Sequence, residues 1–411
     1  IGYHANVNER GNKMDFSRRV FMGASAAFLA ASGAKGAETP QPKIQGFDET
    51  NAGKVKTAAW TPFSDRKVKV GIAGYGVCKF GASFGFQNHP NVEVVAATDL
   101  NPDACAELAK VTGAKKTYAS CEEMYAKDRE IEAVFIATDA PSHAKLCIEG
   151  MKRGLHVASA VPAVFGEEQL ALADELLATV KSTGMIYALF ETSAFRPECY
   201  AMREIYKVGG FGKLIYTEGE YYHYSAKPIA SYNGWRVGLP PQYYPTHANA
   251  FYTCVTGGSF TSVTCLGMPS LLSDFQPGKN RYNNPFATEI ALLRTSEDGM
   301  ARMVKSRDVP GASGEKGRVY GQKGSFEARY SGQADISKVA QEKPPLPPGM
   351  PAGGHGGSHG YLTDDFIRAI LLKQKPACDV ACALNTTVSG IYSHMSAMKD
   401  GETLKIPQFQ L

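Results

Sequence analysis

Residues 68–76 have the sequence VKVGIAGYG, and this stretch decides the fold class. Its first six residues are apolar and β-branched, as in a buried strand, and they run directly into the turn Gly74-Tyr75-Gly76. A helix-like stretch follows, and then a second buried strand, residues 92–97, leads to Asp99. This order is typical of a dinucleotide site, where glycines let the backbone approach the pyrophosphate and a helix N-terminus supplies N–H groups.

The second strand indicates which nucleotide is bound. Asp99 comes 25 positions after Gly74, where a carboxylate can accept hydrogen bonds from both adenosine ribose hydroxyls. A 2′-phosphate would meet a negative charge there, so we expect NAD rather than NADP. The third glycine of the fingerprint is absent, because position 79 is Lys79 and the next glycine is Gly81. The alternative is a glycine-rich turn in an α/β domain that binds no nucleotide.

The same alternation continues along the chain. Residues 132–138 form another apolar strand that is followed by PSH at 141–143 and a helix, and a further strand covers residues 154–160. Strands that alternate with helices at this spacing predict an α/β fold with a parallel, doubly wound sheet. The residues expected to contact the nucleotide are Gly74, Gly76, Val77, Gly81, Asp99, Thr138, His143 and Pro162.

These motifs resemble the Gfo/Idh/MocA oxidoreductase family. The matching features are the glycine turn, DLNP at 99–102, the strand that ends on Thr138, and GLHV at 154–157. The resemblance runs from about Lys67 to the C-terminus. It implies an NAD-binding Rossmann domain, 66–187, and a substrate-binding α/β domain, 188–411. The second domain should carry a large, open, mostly antiparallel sheet that covers the nicotinamide, and its last helices should pack back on the first domain.

One tripeptide departs from the family pattern. The family's dehydrogenases have Glu-Lys-Pro after the G-x-H-V strand, and the lysine helps to move the proton of the substrate hydroxyl. This chain has Ala160, Val161 and Pro162 there. The turn-shaping proline is kept, but a valine cannot transfer a proton, so other residues must supply this step.

A long strand in the second half offers two candidates. Residues 214–224 read as a strand, and its period of two places Tyr221 and His223 on one face. A tyrosine and a histidine opposite a nicotinamide would make a polar lining. The alternative is an aromatic-rich sheet that packs against helices.

His247 is the candidate base. Pro245 and Thr246 signal a helix start, which puts His247 in the first helical turn. That position is expected to lower the imidazole pKa and keep the ring neutral. The family's dehydrogenases place a histidine here in D-x-x-x-H, with Tyr243 now in place of the aspartate. The alternative is a structural histidine.

Three segments resemble one branch of the family, the NAD-dependent α-N-acetylgalactosaminidases. They are Tyr-x-His at 221–223, YPTH at 244–247 after Trp235-Arg236, and GHGG at 354–357. The resemblance implies that Tyr221, His223, Tyr244 and His247 contact substrate and transfer protons. We expect the substrate to be bound by Trp235, Arg236, His355 and His359. The last two could bind a metal only on a helix, which the glycines between them disfavour, so no metal site is predicted.

The function expected from these residues is hydride transfer from a ring carbinol of a sugar or glycoside to tightly bound NAD, which the enzyme could itself regenerate. An alternative is an NAD-dependent glycosidase that oxidises, eliminates, adds water and reduces. A second alternative is a nucleotide-binding protein that has lost catalysis, which the change at Ala160-Val161 supports.

Charge and cysteine content narrow the class of protein. The 411 residues have a formal charge of +4, from 44 basic and 40 acidic residues, which is too mild to indicate a nucleic-acid partner. The nine cysteines are scattered, with no C-x-x-C pair, so a disulfide framework is not expected. Cys378 and Cys382 have a spacing that suits one helix face better than a zinc knuckle.

The N-terminal residues indicate a location. SRRVF at 17–21, followed by an apolar run to residue 34, resembles a twin-arginine signal. We therefore expect residues 1–37 to be read by the twin-arginine export machinery, residues 38–65 to form a linker or lead-in arm, and the protein to be periplasmic or otherwise exported. An ordinary amphipathic helix is the alternative. We also expect a homo-oligomer that assembles through the C-terminal sheet.

Overall fold

The computed structural model describes residues 59–411. The predicted export signal and most of the lead-in arm lie outside this range. The end of the arm, residues 59–65, is held against the first domain by Asn91, whose Nδ2 donates to the carbonyl oxygens of Ser64 and Arg66 at 2.7 and 2.8 Å. None of the helices in residues 59–411 is long and apolar enough to cross a membrane.

The first domain is built on a six-stranded parallel sheet. The strands are β1 Val68–Ala73, β2 Val92–Thr98, β3 Lys116–Tyr118, β4 Ala133–Ile136, β5 His156–Ser159 and β6 Tyr187–Leu189. Their order is β3-β2-β1-β4-β5-β6, which is the Rossmann order and confirms the predicted doubly wound sheet. This order places the point where the winding direction reverses between β1 and β4. The predicted boundary at residue 187 falls inside β6, so the chain leaves this sheet after Leu189.

Helices cover both faces of the parallel sheet, which is why its strands are apolar on both sides. They are α1 Phe80–Ser83, α2 Pro102–Thr112, α3 Cys121–Lys127, α4 His143–Lys152 and α5 Leu170–Thr183. Short 3₁₀ turns in the two domains cover Phe86–Asn88, Ala140–Ser142, Glu167–Gln169, Thr192–Phe195, Tyr232–Gly234, Pro241–Tyr243 and Ser273–Phe275.

The second domain has an eight-stranded open sheet. Its strands are β7 Leu214–His223, β8 Phe260–Pro269, β9 Phe286–Thr295, β10 Met300–Ser306, β11 Ser313–Gly321, β12 Gly324–Phe326, β13 Tyr330–Gly332 and β14 Leu404–Lys405. The order is β13-β12-β11-β7-β10-β9-β8-β14, and all neighbours are antiparallel except β7 and β10. The predicted large, mostly antiparallel sheet is therefore confirmed. The remaining helices are α6 Pro197–Lys207, α7 Thr246–Thr256, α8 His359–Leu372 and α9 Val380–Ala397.

Two glycines bring α7 close to this sheet. A Cβ on Gly219 of β7 would overlap the carbonyl of Ala248, and one on Gly317 of β11 would overlap the ring of Phe251. Behind α7, Asn249 donates to Thr386 O and Ser389 Oγ of α9, both at 3.0 Å. The start of α7 is thereby fixed above the middle strands of the sheet.

The last helices join the two domains. Thr363 of α8 donates from Oγ1 to the carbonyl oxygen of Phe84 at 2.8 Å, and Asp364 lies 3.1 Å from Nε2 of the buried His89. These contacts hold the loop before α8 beside the glycine turn of the Rossmann domain.

Candidate functional site

A cavity of about 680 Å³ lies at the carboxyl edge of the parallel sheet, where the winding reverses. The glycine turn, the end of β2 and the loop after β4 form most of its wall. Among the predicted site residues, those that line it are Gly74, Gly76, Val77, Asp99, Thr138, Trp235 and Arg236.

The glycine turn is shaped for a phosphate. Gly74 has φ +97°, and a Cβ there would lie 2.5 Å from the carbonyl oxygen of Ala137. A Cβ on Gly81 would overlap the carbonyl oxygen of Gly74, so Gly81 supplies the close packing expected of the missing third glycine. Helix α1, at four residues, is shorter than the sequence suggested. The turn therefore serves a phosphate chiefly by letting it come close to the backbone, because the N–H groups of Gly74, Tyr75 and Gly76 already donate to Thr98 and Asp99.

Asp99 stands at the wall of this cavity. Its Oδ2 accepts hydrogen bonds from the backbone N–H groups of Tyr75 and Gly76, at 2.7 and 3.2 Å. Its Oδ1 accepts from Asn101 N at 2.8 Å. The carboxylate thus braces the turn and keeps acceptor capacity for ribose hydroxyls. No atom of residues 59–411 lies within 4 Å of a Cβ built on Gly76, which leaves room for a pyrophosphate. The residues fit NAD.

His143 and Pro162 lie behind the cavity wall. The ring of His143 is buried, with Nδ1 2.9 Å from the carbonyl oxygen of Pro162 and Nε2 3.2 Å from that of Thr138. Burial lowers the pKa of His143. Both ring nitrogens face carbonyl oxygens of the protein, and the neutral ring donates to one of them, so this histidine shapes the strand ends that form the wall.

A buried histidine–carboxylate pair lies at the start of α7. Nδ1 of His247 is 2.8 Å from Oε1 of Glu191, which follows β6 and is 0% exposed. With the proton on Nδ1, Nε2 is left as an acceptor, and no group in residues 59–411 bonds to it. The pKa of His247 is raised, and the expectation from its helix position was wrong in direction. Burial lowers that pKa, but the carboxylates of Glu191 and Glu315 outweigh burial.

Three side chains form a row across the sheet beneath His247. Lys305 of β10, Tyr221 of β7 and Glu315 of β11 are register partners. Nζ of Lys305 lies 3.1 Å from the centre of the Tyr221 ring, and that ring is 4.7 Å from the His247 ring. Burial, first, and then the charge of Arg307 lower the pKa of Lys305 well below its usual value. The lowered pKa favours the neutral amine form of Lys305.

Glu315 stays ionised although it is buried. Burial raises its pKa, but His247 and Arg196 outweigh burial and bring the pKa to about 2. Its carboxylate accepts hydrogen bonds from Ser193 Oγ and Arg196 Nε. The site therefore contains a fixed negative charge beside His247 and Tyr221.

The predicted tyrosines are protonated phenols. Tyr244 lies 5.5 Å from the His247 ring, and burial raises its pKa to about 12. Burial also raises the pKa of Tyr221 well above its usual value. His223 ends β7, half-buried, with its ring 5.7 Å from that of Tyr221. The structure thus brings all four predicted catalytic residues into one cluster.

The two histidines of the glycine-rich loop have different environments. The buried ring of His355 stacks 6.1 Å from that of His247, and its Nδ1 is 2.8 Å from Nε2 of His359. His359 begins α8, and its Nδ1 lies 3.3 Å from the carbonyl oxygen of Ser83. Burial lowers the pKa of His359 to about 4. His355 borders the cluster, whereas His359 uses both nitrogens to hold the loop on the Rossmann domain.

Trp235 and Arg236 lie between the cavity and the cluster. The Arg236 guanidinium stacks on the Trp235 ring at 4.1 Å and lies 5.8 Å from the Tyr244 ring. Both residues line the nucleotide cavity. The cluster and the cavity are therefore neighbouring parts of one site.

Several buried polar atoms around His247 lack a hydrogen-bond partner in the described part of the chain. They are Oε2 of Glu191, Oγ1 of Thr246 and Nε of Arg307. Buried polar groups are rarely left unpaired, so this group of atoms marks a place for a polar ligand.

The sequence analysis did not identify Glu191, Lys305, Arg307 or Glu315. Glu191 had a usable signal, since it follows a buried strand as Asp99 does. Lys305 interrupts an apolar strand at an inward position, two residues after the buried Met303. Glu315 and Arg307 stand in segments with no local pattern that sets them apart.

Comparisons with known proteins agree with this geometry. Residues 68–190 match the Gfo/Idh/MocA family, described as an oxidoreductase family with an NAD-binding Rossmann fold. This match confirms the predicted cofactor, NAD.

Relatives of the whole chain include two proteins named "Glycosyl hydrolase family 109 protein". The one from Streptomyces niveus is 24% identical, over 93% of this chain and 84% of its own length. The one from Stenotrophomonas maltophilia is 24% identical, over 93% of this chain and 94% of its own length. A further such protein, from Bacteroides fragilis, is 29% identical over 54% of this chain and 50% of its own length.

Solved structures share the fold. Levoglucosan dehydrogenase in complex with NADH and levoglucosan has a TM-score of 0.68 at 17% identity, covering 84% of this chain and 100% of its own. Apo scyllo-inositol dehydrogenase from Lactobacillus casei has a TM-score of 0.65 at 16% identity, covering 84% and 99%. Both similarities cover most of the described part of this chain.

Proposed function

Since this chain belongs to the Gfo/Idh/MocA oxidoreductase family, as its motifs predicted, we propose that it oxidises a ring carbinol of a sugar or glycoside with bound NAD. The observation that carries the proposal is the buried His247–Glu191 pair near the nucleotide cavity, in which Nε2 of His247 has no partner among residues 59–411. Relatives named for glycoside hydrolysis and neighbours named for levoglucosan and inositol support a sugar. Bound NAD would supply the hydride acceptor.

His247 is the proposed proton acceptor. A substrate hydroxyl at Nε2 would give up its proton as the carbinol carbon loses hydride. Glu191 holds the ring in the tautomer with Nδ1 protonated and stabilises the imidazolium that results. The raised pKa of His247 suits this role, because the ring must keep the proton once it has taken it.

Lys305 is proposed to replace the lysine that Val161 does not supply. It reaches the cluster from β10 of the second domain, and the family's usual lysine lies on the turn after the G-x-H-V strand. Because the pKa of Lys305 is strongly lowered, its amine can accept a hydrogen bond from the substrate hydroxyl that gives its proton to His247, or donate one to it. Unpaired atoms of Glu191 and Arg307 would position the other hydroxyls of the sugar.

A second candidate is the NAD-dependent glycosidase, favoured by the names of the relatives. In that route the ketone acidifies the neighbouring C–H, a tyrosine removes this proton, the anomeric group leaves and water adds. The hydride taken up in the first step would then be returned to the ketone, so the overall reaction is redox-neutral. The base would be Tyr221 or Tyr244. Burial raises the pKa of both phenols, which opposes a phenolate, so the oxidoreductase is the first choice.

One assay separates the candidates. The purified protein is incubated with a panel of monosaccharides and nitrophenyl glycosides, and NADH absorbance and released nitrophenol are followed together. A rise in NADH without nitrophenol is the expected result. Release of nitrophenol with unchanged cofactor would identify the glycosidase. Neither signal over the whole panel, with NAD bound, would favour the nucleotide-binding protein that has lost catalysis.

We further propose export through the twin-arginine machinery, on the strength of residues 17–34. Cells that express the full chain are fractionated and compared with cells that express an Arg18→Lys/Arg19→Lys variant. Wild-type protein should reach the periplasm and the variant should stay in the cytoplasm. Equal distribution of the two would contradict the proposal.

The homo-oligomer is proposed to form through the outer face of the eight-stranded sheet. This face exposes several large apolar side chains on neighbouring strands, each at 40–63% of its full area. Apolar residues scattered singly over a surface are common, whereas a group of them side by side indicates an interface. They are Ile215, Leu266, Met268, Ile290, Leu292 and Met300. Ile290→Lys/Leu292→Lys should reduce the mass measured by light scattering to that of the monomer; an unchanged mass would place the interface elsewhere.

A further inference from the structure

Three thiols meet at the far end of α7, away from His247. Cys254 lies in the last turn of α7, Cys378 just before α9, and Cys382 in the first turn of α9. Sγ of Cys382 is 3.7 Å from that of Cys254 and 3.4 Å from that of Cys378. All three sulfur atoms lie within 4.8 Å of one another. We propose that this thiol cluster, Cys254, Cys378 and Cys382, binds one thiophilic metal ion such as Zn²⁺.

The sulfur spacing suits a metal ion. Thiolates about 2.3 Å from a tetrahedral Zn²⁺ lie roughly 3.8 Å from each other. The two shorter distances in the thiol cluster are close to that edge, so binding needs small side-chain rotations and no movement of helices. The sequence did not reveal the site, because Cys254 is 128 positions from Cys382, and Cys378 precedes α9 instead of sharing a helix face with Cys382.

The N-terminus of α9 favours a thiolate at Cys382. Cys382 is the third residue of the 18-residue helix α9, and its N–H donates to Oδ1 of the capping Asp379 at 3.0 Å. The positive end of a helix stabilises negative charge in its first turn. Metal binding requires deprotonated sulfur, so this placement assists it.

An open depression in the surface gives access to the site. Cys254 and Cys382 line a cavity of about 1250 Å³ whose wall also includes Asp379 and Lys375. An ion can enter through it, and a water molecule can complete a fourth position. Three sulfur ligands with an open fourth position also match the preference of soft ions.

The bound ion would join three elements behind the catalytic pair. Cys254 belongs to α7, which carries His247 in its first turn, and the carbonyl oxygen of Cys378 accepts from Leu189 N of β6 at 3.0 Å. Leu189 is two residues before Glu191. The ion would therefore brace the elements that carry His247 and Glu191, and we expect it to raise thermal stability. This inference does not depend on the proposed reaction.

The test uses reduced, metal-free full-length protein and compares the wild type with Cys382→Ala. Cys147→Ala is the matched control, because Cys147 is a fully buried thiol of α4 outside the cluster. Wild type and control should bind one Co²⁺ per chain with a thiolate charge-transfer band that Zn²⁺ displaces, and Zn²⁺ should raise their melting temperature. Cys382→Ala should lose the band and the shift.

Two results would overturn the site: wild-type protein that binds no Co²⁺ with a charge-transfer band, or a Cys382→Ala variant that binds as the wild type does. If the variant fails to fold, thiol labelling of the wild type decides. Zn²⁺ must then protect Cys254, Cys378 and Cys382 from alkylation, as mapped by mass spectrometry. Unchanged labelling of these three cysteines would refute the proposal whatever the outcome of the activity assays.

Discussion

Two buried histidine–glutamate pairs in this molecule have nearly the same geometry and different surroundings. Nδ1 of His247 is 2.8 Å from Glu191, and Nδ1 of His394 in α9 is 2.6 Å from Glu289 in β9. Both carboxylates are 0% exposed. Oε2 of Glu289 accepts from Gln242 N at 2.8 Å, whereas Oε2 of Glu191 has no partner among residues 59–411.

The difference lies in the atoms outside the shared hydrogen bond. The His394–Glu289 pair is closed, since its second oxygen fixes the loop before α7 and its ring packs 4.9 Å from Tyr243. The His247–Glu191 pair is open, since Oε2 of Glu191 has no partner among residues 59–411, and its histidine ring lies 4.7 Å from that of Tyr221. A buried histidine–carboxylate pair is therefore not by itself evidence of a catalytic site; unpaired hydrogen-bonding atoms beside a cavity are the feature that supports one.

Substitution of His247 and of His394, each in its own variant, should show the largest difference between the two pairs. His247→Asn should lower turnover by about 10²–10⁴-fold, because it removes the proton acceptor. NAD affinity, measured by calorimetry, should stay unchanged, since His247 lies outside the nucleotide cavity. His394→Asn should lower the melting temperature and leave turnover per folded molecule near that of the wild type. Equal loss of turnover in both would remove the distinction.

Substitution of the two glutamates should lower turnover less than loss of His247, and for Glu191 it should also change the pH dependence of kcat. Glu191→Gln should lower kcat by about 10²-fold and move the acidic limb of the pH profile to lower pH, since Glu191 is the chief group that raises the pKa of His247. Glu289→Gln should cost about 1–3 kcal/mol of stability and leave the limb in place. A limb that does not move in Glu191→Gln would show that another group titrates there.

Stability should follow the same titration. A raised folded-state pKa means that His247 stabilises the fold fully below its unfolded pKa and loses this contribution as pH rises through the folded value. Urea unfolding of the wild type across this range should therefore show stability falling with rising pH relative to Glu191→Gln. Parallel curves for the two proteins would contradict the linkage.

Substitution of Lys305 tests whether a residue of the sheet contributes to the reaction proposed at the His247–Glu191 pair. Lys305→Met should lower kcat by roughly 10- to 100-fold, less than loss of His247, because the amine orients the hydroxyl and does not take the final proton. Lys316→Met is the control, since Lys316 is an exposed lysine of the same sheet, on β11. If both variants keep full turnover, Lys305 is a structural cation beneath Tyr221.

What could be predicted from the sequence depended on how far apart the partners are in the chain. The strand, the glycine turn and Asp99 lie within one short segment, so the Rossmann half and its cofactor followed from local pattern. Lys305, Tyr221 and Glu315 meet only through the register of three strands, which no local pattern gives. The pKa of His247 was predicted in the wrong direction for the same reason: the helix start is local, whereas Glu191 and Glu315 are distant in sequence.

Asp99 belongs to the segment that local sequence pattern predicted, and its substitution should give the smallest effect of those considered. Asp99→Ala removes an acceptor for the ribose hydroxyls and the negative charge that would repel a 2′-phosphate, so NAD should bind about 10-fold more weakly and the preference over NADP should shrink. Calorimetric titration of both nucleotides checks this, with the exposed Asp103→Ala as control. Because Oδ2 also braces Tyr75 and Gly76, weaker binding of both nucleotides to the same degree would mean that Asp99 supports the turn and does not touch the ribose.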